Sequence, residues 1–173
     1  MDATIRHARN PRTRAGVGSF GRVLAIRLAP GEDVMPSMIQ LLADAGISQG
    51  VILSGVASLQ HASLRNIHTF PEDWPIRVQD RHTTRIEGPL EILAMQGNVA
   101  PAPDGSTFIH CHLEFSTGNP PATTYGGHLL DDTIVGTTCE IYIAELVGVE
   151  MRRIDDDETR TLEIDVSPRL ELP

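Results

Sequence analysis

The sequence predicts an α+β domain built on a largely antiparallel sheet with one main helix. Three observations point there. Only one segment, from Met35 to Ala45, carries an apolar stripe at helical spacing. Many short runs elsewhere alternate apolar and polar residues or are rich in β-branched residues, as strands are. The connections between most of these runs are short and rich in Gly, Pro and Asp, which suits hairpins better than long crossovers.

Residues 1–21 read as a flexible basic arm. Arg6, Arg9, Arg12 and Arg14 stand against Asp2, and Pro11, Gly16, Gly18 and Gly21 break any regular pattern. A domain is expected over 22–150. Its first strand starts at Arg22, with Val23, Ala25 and Arg27 on one face and Leu24, Ile26 and Leu28 on the other. Pro30-Gly31-Glu32-Asp33 then leads into the helix, with Asp33 as N-cap, Pro36 in the first turn and Gly46 as the stop.

Strands follow at Val51–Ser58 and Ala62–His68, then at Arg81–Glu87, Leu90–Gln96, Thr107–Phe115 and Thr138–Val147. The stretch from Phe70 to Asp80, interrupted by Pro71 and Pro75, reads as an ordered loop whose Trp74 covers the core or an interface. Asn98–Ser106 reads as a turn and Ser116–Gly127 as a loop. Residues 151–173 form a polar extension with one further strand at Thr161–Val166. The apolar strand Thr138–Val147 is too greasy for an exposed edge, so it calls for cover by the helix or a partner subunit.

Composition removes several function classes. The 14 basic residues are all arginine, which excludes a phosphate-loop lysine, a Schiff-base lysine and a lysine general base. Residues 15–173 hold ten arginines against 22 acidic residues, a net of −12, which repels nucleic-acid backbones. Only 4% of residues are aromatic, too few for a base-stacking platform. No apolar run approaches the ~20 residues of a membrane helix, and no secretory signal is visible, so a cytoplasmic location is expected. Cys111 and Cys139 lie in apolar runs and read as buried free thiols. Asp155-Asp156-Asp157-Glu158 reads as a solvated turn.

One stretch stands out chemically. In a strand over Phe108–Phe115, Ile109, Cys111, Leu113 and Phe115 line one face, while His110, His112 and Glu114 share the other. Alternate residues on a strand are roughly 6.6 Å apart, close enough for two imidazoles to meet on one ion. The same pattern also describes a strand with one wet face. His128, after Gly126-Gly127, supplies a third imidazole, the glycines allowing a tight bend before it. Three histidines with an open fourth position are a known catalytic zinc arrangement. Glu114 and Glu91 are candidates for a further ligand, an acid or base, or a supporting hydrogen bond.

The order of several short motifs resembles the plant- and prokaryote-conserved (PPC) domain family. These are Arg27-Leu28-Ala29-Pro30-Gly31-Glu32-Asp33, Gly55-Val56-Ala57-Ser58-Leu59, Gly88-Pro89-Leu90-Glu91-Ile92-Leu93 with Gly97-Asn98, and His110-x-His112 after Asp104-Gly105. Gly126-Gly127-His128-Leu129 and Thr138-Cys139-Glu140-Ile141 complete the series. The resemblance covers about residues 22–147. It implies a homotrimer, an architecture similar to acetolactate decarboxylase, and a divalent metal, zinc first, on His110, His112 and His128.

In plants the family follows AT-hooks and acts in chromatin. Here Pro11-Arg12-Thr13-Arg14 lacks the Arg-Gly-Arg-Pro core of an AT-hook, and the three histidines are kept. Three readings follow. One is a metal-binding trimer that works as a small-molecule lyase or hydrolase. The others are a DNA-associated regulatory scaffold and a small-molecule sensor without turnover.

Overall fold

The computed structural model describes residues 13–168, so most of the basic arm lies outside the described residues. The order is β1 (Ser19–Leu28), α1 (Val34–Ala45), β2 (Gly50–Ile67), β3 (Arg81–Pro101), β4 (Thr107–Thr117), β5 (Thr124–Leu129), β6 (Ile134–Val147), β7 (Glu150–Asp155) and β8 (Leu162–Ser167). One helix against an antiparallel sheet is the α+β architecture the sequence predicts.

The alternation in β1 is realised. Ile26 and Leu28 are buried while Val23, Ala25 and Arg27 face outward. Helix α1 buries Val34, Met35, Met38 and Leu42 on the sheet. It ends at Gly46 with φ 62°, where the Ile47 N–H reaches back to the Leu42 carbonyl at 3.0 Å, an end that glycine adopts without a Cβ penalty. Asp33 occupies the N-cap position, but its carboxylate makes no bond to the helix. It accepts instead from the Asp132 N–H at 2.7 Å and the Thr133 N–H at 3.4 Å, tying the helix entry to the turn before β6.

The main sheet runs β1-β6-β2-β3-β4-β5, and β5 also pairs with β2. Strands β2, β3, β4 and β5 therefore close on themselves. The closure needs two long bent strands where the sequence suggests four short ones. The predicted runs 51–58 and 62–68 are one strand, β2, with a bulge between Leu59 and His61; 81–87 and 90–96 are likewise one strand, β3. At the bend Gly88 lies against β2, where an added Cβ would stand 2.5 Å from the Gln60 carbonyl oxygen. The bulge shifts the phase of the apolar alternation, and that shift reads in sequence as a break between strands.

Two further expectations change and one holds. β3 runs on to Pro101, so the turn is confined to the residues just before β4. The predicted loop 116–127 contains the start of β5. The apolar strand β6 is no edge, as its composition requires: it lies between β1 and β2, and Cys139, Ile141 and Ile143 are fully buried in one core cluster with Val34, Met38 and Leu42 of the helix.

The C-terminal extension is a β-hairpin, β7 with β8, and not a lone strand. Its first strand looks polar because one of its inward positions is an arginine: Arg153 is 4% exposed, beside Met151 at 8%. The acidic run 155–158 forms the hairpin tip, where the Asp156 carboxylate accepts the Glu158 and Thr159 N–H groups. Trp74 is 48% exposed and packs on Phe70, so it does not plug the core.

Both thiols are buried and unpaired with each other. Burial pushes the Cys111 thiol up to about 12 and the Cys139 thiol up to about 11. The reactive thiolate is thus absent near neutral pH. We expect Ellman's reagent to label neither cysteine in the folded protein and both after unfolding; prompt labelling of native protein would contradict this packing.

Candidate metal centre

Strand β4 delivers its two faces as the period of two requires. Ile109, Cys111, Leu113 and Phe115 are all no more than 6% exposed in the core, and His110, His112 and Glu114 point outward. β5 pairs with β4 so that His128 lies directly opposite His112. Cross-strand partners share a face, which brings the third imidazole onto the same side. Gly126 and Gly127 do not bend the chain, as the sequence suggests; both lie within β5. Gly127 is small because Asn66 packs over it, where an added Cβ would be 2.5 Å from Asn66 Oδ1, and Asn66 Nδ2 donates to the Gly126 carbonyl at 2.9 Å.

The three rings form a tight triangle with centroids 5.1, 5.3 and 5.6 Å apart. One ring nitrogen from each lies within 4.8 Å of the other two. Two nitrogens bound to one zinc at about 2.0–2.1 Å can be at most about 4.2 Å apart. The three nitrogens are therefore close enough that rotation of the rings would let them share one ion. Among the described residues no protein group hydrogen-bonds these imidazoles. His61 and His68 differ in this respect: His61 Nε2 pairs with Asp132 at 3.0 Å, and His68 with the Gln79 carbonyl and the Thr69 hydroxyl.

Burial holds His128 down to about 4, with Arg65 adding to the effect, and lowers His110 by burial and the nearby Arg153. Neutral imidazole is the form that ligates a metal. Three imidazoles on one face without protein partners thus fit a borderline divalent ion such as zinc.

The remaining predicted site residues fall further out. Glu114 shares a groove with His112 beside β5. Glu91 faces Ser116, four residues along β4 from His112, or roughly 13 Å by strand rise. Neither lines the cavity that all three histidines share, a space of about 530 Å³ bounded by them, the second half of β2 and the tip of the C-terminal hairpin. Sequence reasoning passes over the side chains that wall this cavity, Arg65, Arg81, Arg153 and Glu163 among them. No local motif marks them, because four separate strands, β2, β3, β7 and β8, bring them together.

Fold and site together define a three-histidine α+β protein with a long bent sheet. The chain belongs to the Plants and Prokaryotes Conserved (PCC) domain family, the PPC family named above, whose pattern matches residues 15–147. The C-terminal hairpin lies beyond that match. Two curated relatives, bifunctional GlmU proteins of Synechococcus strains JA-3-3Ab and JA-2-3B'a(2-13), are 31% and 29% identical over 145 and 147 residues. These alignments cover 84% and 85% of this chain, which spans only about a fifth (20%) of each relative's length.

Among solved structures, a metal-containing protein of Archaeoglobus fulgidus superposes with a TM-score of 0.71 at 24% identity, over 87% of this chain and 98% of that one. A PPC protein of Pyrococcus horikoshii gives 0.70 at 25% identity, over 87% and 96%. A candidate DNA-binding protein of Bacteroides thetaiotaomicron gives 0.67 at 15% identity, over 87% and 98%, a likeness of fold alone.

Proposed function

We propose that this chain is a metal-binding PCC-domain protein that acts on a small molecule, with His110, His112 and His128 holding one divalent ion, zinc by first preference. The observation that carries the reading is the triangle of imidazoles without protein partners that lines a cavity of about 530 Å³, a volume within the range of small-molecule sites. A zinc ion held by three histidines supplies Lewis-acid polarisation or an activated water, the chemistry of a lyase or hydrolase. The residues themselves orient the ligand and shield it from bulk water. Proton transfer by Glu114 would require the reacting group to lie in the groove that it shares with His112, outside this cavity. Elemental analysis of untagged protein tests the metal reading, with about one ion per chain expected; no bound transition metal after purification without chelator would end it. Turnover on a panel of small carbonyl and carboxyl compounds separates an enzyme from a sensor.

A trimer is part of the proposal. Val23, Leu53, Val56, Leu93 and Tyr142 are 42–57% exposed on β1, β2, β3 and β6, more apolar surface than a monomer usually leaves open on one sheet. Light scattering at micromolar concentration should give three times the 18.8 kDa chain mass; a monomer would remove the trimer.

The DNA-associated reading has support in the fold of the B. thetaiotaomicron protein. Charge argues against it, since residues 15–173 carry a net of −12, ten arginines against 22 acidic residues. We expect duplex binding no tighter than about 10⁻⁴–10⁻⁶ M at physiological salt, lost on deleting residues 1–14. Nanomolar, sequence-selective binding in an anisotropy titration would replace the small-molecule reading with the regulatory one.

A further inference from the structure

The cavity beside the histidines has a wall that the metal does not use. Arg65, Arg81, Arg153 and Arg160 line it, against two carboxylates, Asp155 and Glu163. This local excess of positive charge sits in a chain whose net charge is −9. Arg65 lies beside His128 in the β2–β5 register, and Arg81 pairs with Ile67, two residues further along β2. Period two puts Arg65, Ile67 and His128 on one face. Neither Arg65 nor Arg81 has an ion-pair partner among the described residues. Burial lowers the Arg65 guanidinium, and the neighbouring charge of Arg81 adds to this.

Arg153 is held differently. It is 4% exposed and lies 4.9 Å over the Phe108 ring. Its Nη1 donates to the Leu162 carbonyl at 3.2 Å and its Nη2 to Asn98 Oδ1. Its Nε–H is fully buried with no partner. Buried donors without acceptors are rare in folded proteins, and this one belongs to a side chain that lines the cavity. Asn98 is the register partner of His110, so the same contact anchors the hairpin next to the metal ligands.

We infer that this cavity binds a small organic anion, its carboxylate or phosphate group held by Arg65 and Arg81 against the wall fixed by Arg153. The planar fork of guanidinium matches both oxyanions, and a partly desolvated pair of forks favours them over neutral molecules. The inference deepens the metal reading: the anion is anchored by arginine while the rest of the molecule faces the histidines. The residues involved come from the family-matched strands and from the hairpin beyond them, so the ligand class is set partly by a segment outside the family match.

Calorimetry of the full chain with malonate, inorganic phosphate and neutral malonamide tests this. Wild type should bind malonate or phosphate and not malonamide. R65M/R81M should weaken that binding at least about tenfold, as loss of charge-assisted hydrogen bonds does, with metal content and circular dichroism unchanged. The variant H110A/H112A separates the two readings. If wild type holds no metal, yet its anion binding depends on Arg65 and Arg81, the metal reading fails and the anion site stands. If wild type holds metal but binds neither anion at millimolar concentration, or R65M/R81M binds them as wild type does, the anion site is overturned and the metal reading stands. Anion binding lost in H110A/H112A and kept in R65M/R81M would place the anion on the metal alone, and would also overturn the inference.

Discussion

H110A/H128A should lose nearly all bound metal, falling from about one ion per chain to under about a tenth, because a single remaining imidazole is a weak site. The fold should survive. All three rings lie on the outer face of the sheet, while the core of β4 is built from Ile109, Cys111, Leu113 and Phe115 on the other face. Melting separates loss of metal from loss of fold. A ligand that binds only the native state raises its stability, so a chelator should lower the melting temperature of wild type and leave that of H110A/H128A unmoved. Stoichiometric metal retained by the double variant would move the site away from these residues.

The second large effect is expected at a residue with no chemistry of its own. Gly97 pairs with Cys111, between the pairs Gln96–His112 and Asn98–His110. A Cβ at Gly97 would stand 2.1 Å from the His110 carbonyl oxygen and 2.8 Å from the Cys111 Cα. Both are backbone atoms, so no side-chain rotation relieves the clash. G97A must push β4 away from β3 at the point where two of the three imidazoles are anchored. We expect a loss of about 3 kcal/mol, at the upper end of ordinary overpacking, read as a lower urea midpoint with an unchanged slope. Metal content should fall with it. G126A is the control: its Cβ would meet the Leu113 carbonyl oxygen at 3.3 Å, and the cost should stay below about 1 kcal/mol. Equal stability of G97A and wild type would mean that the β3–β4 pairing differs from the one described.

These expectations also mark what the sequence makes legible. The two faces of β4 can be read without a structure, because strand periodicity fixes which of His110, Cys111, His112 and Leu113 point together. Helix α1 is legible for the same reason, its stripe and Gly46 being local signals. The bent strands β2 and β3 are not, since a bulge at Leu59–His61 and Gly88-Pro89 look like ends of strands. β7 is hidden because an inward position holds Arg153, a charge where the alternation calls for an apolar residue. The arginine wall is the least legible part: Arg65, Arg81 and Arg153 meet only through pairing register, which depends on how distant strands align.

The closure of β2, β3, β4 and β5 has a consequence for self-association. β5 is hydrogen-bonded to β4 over Thr124–His128, and at His128 and Leu129 also to β2, so the row of amides and carbonyls open to a foreign strand at that end of the sheet is short. In the main sheet the open flank is β1, which has a single pairing partner, β6. There the register slips between Phe20 and Val23, and Arg22 and Arg27 stand exposed. A bulge and charged side chains are the devices by which natural sheets discourage templated growth. Runaway stacking through backbone pairing is thus discouraged by a short open row at one end and by charge and irregularity at the other. An apolar-faced, strand-rich chain can in this way avoid open-ended growth.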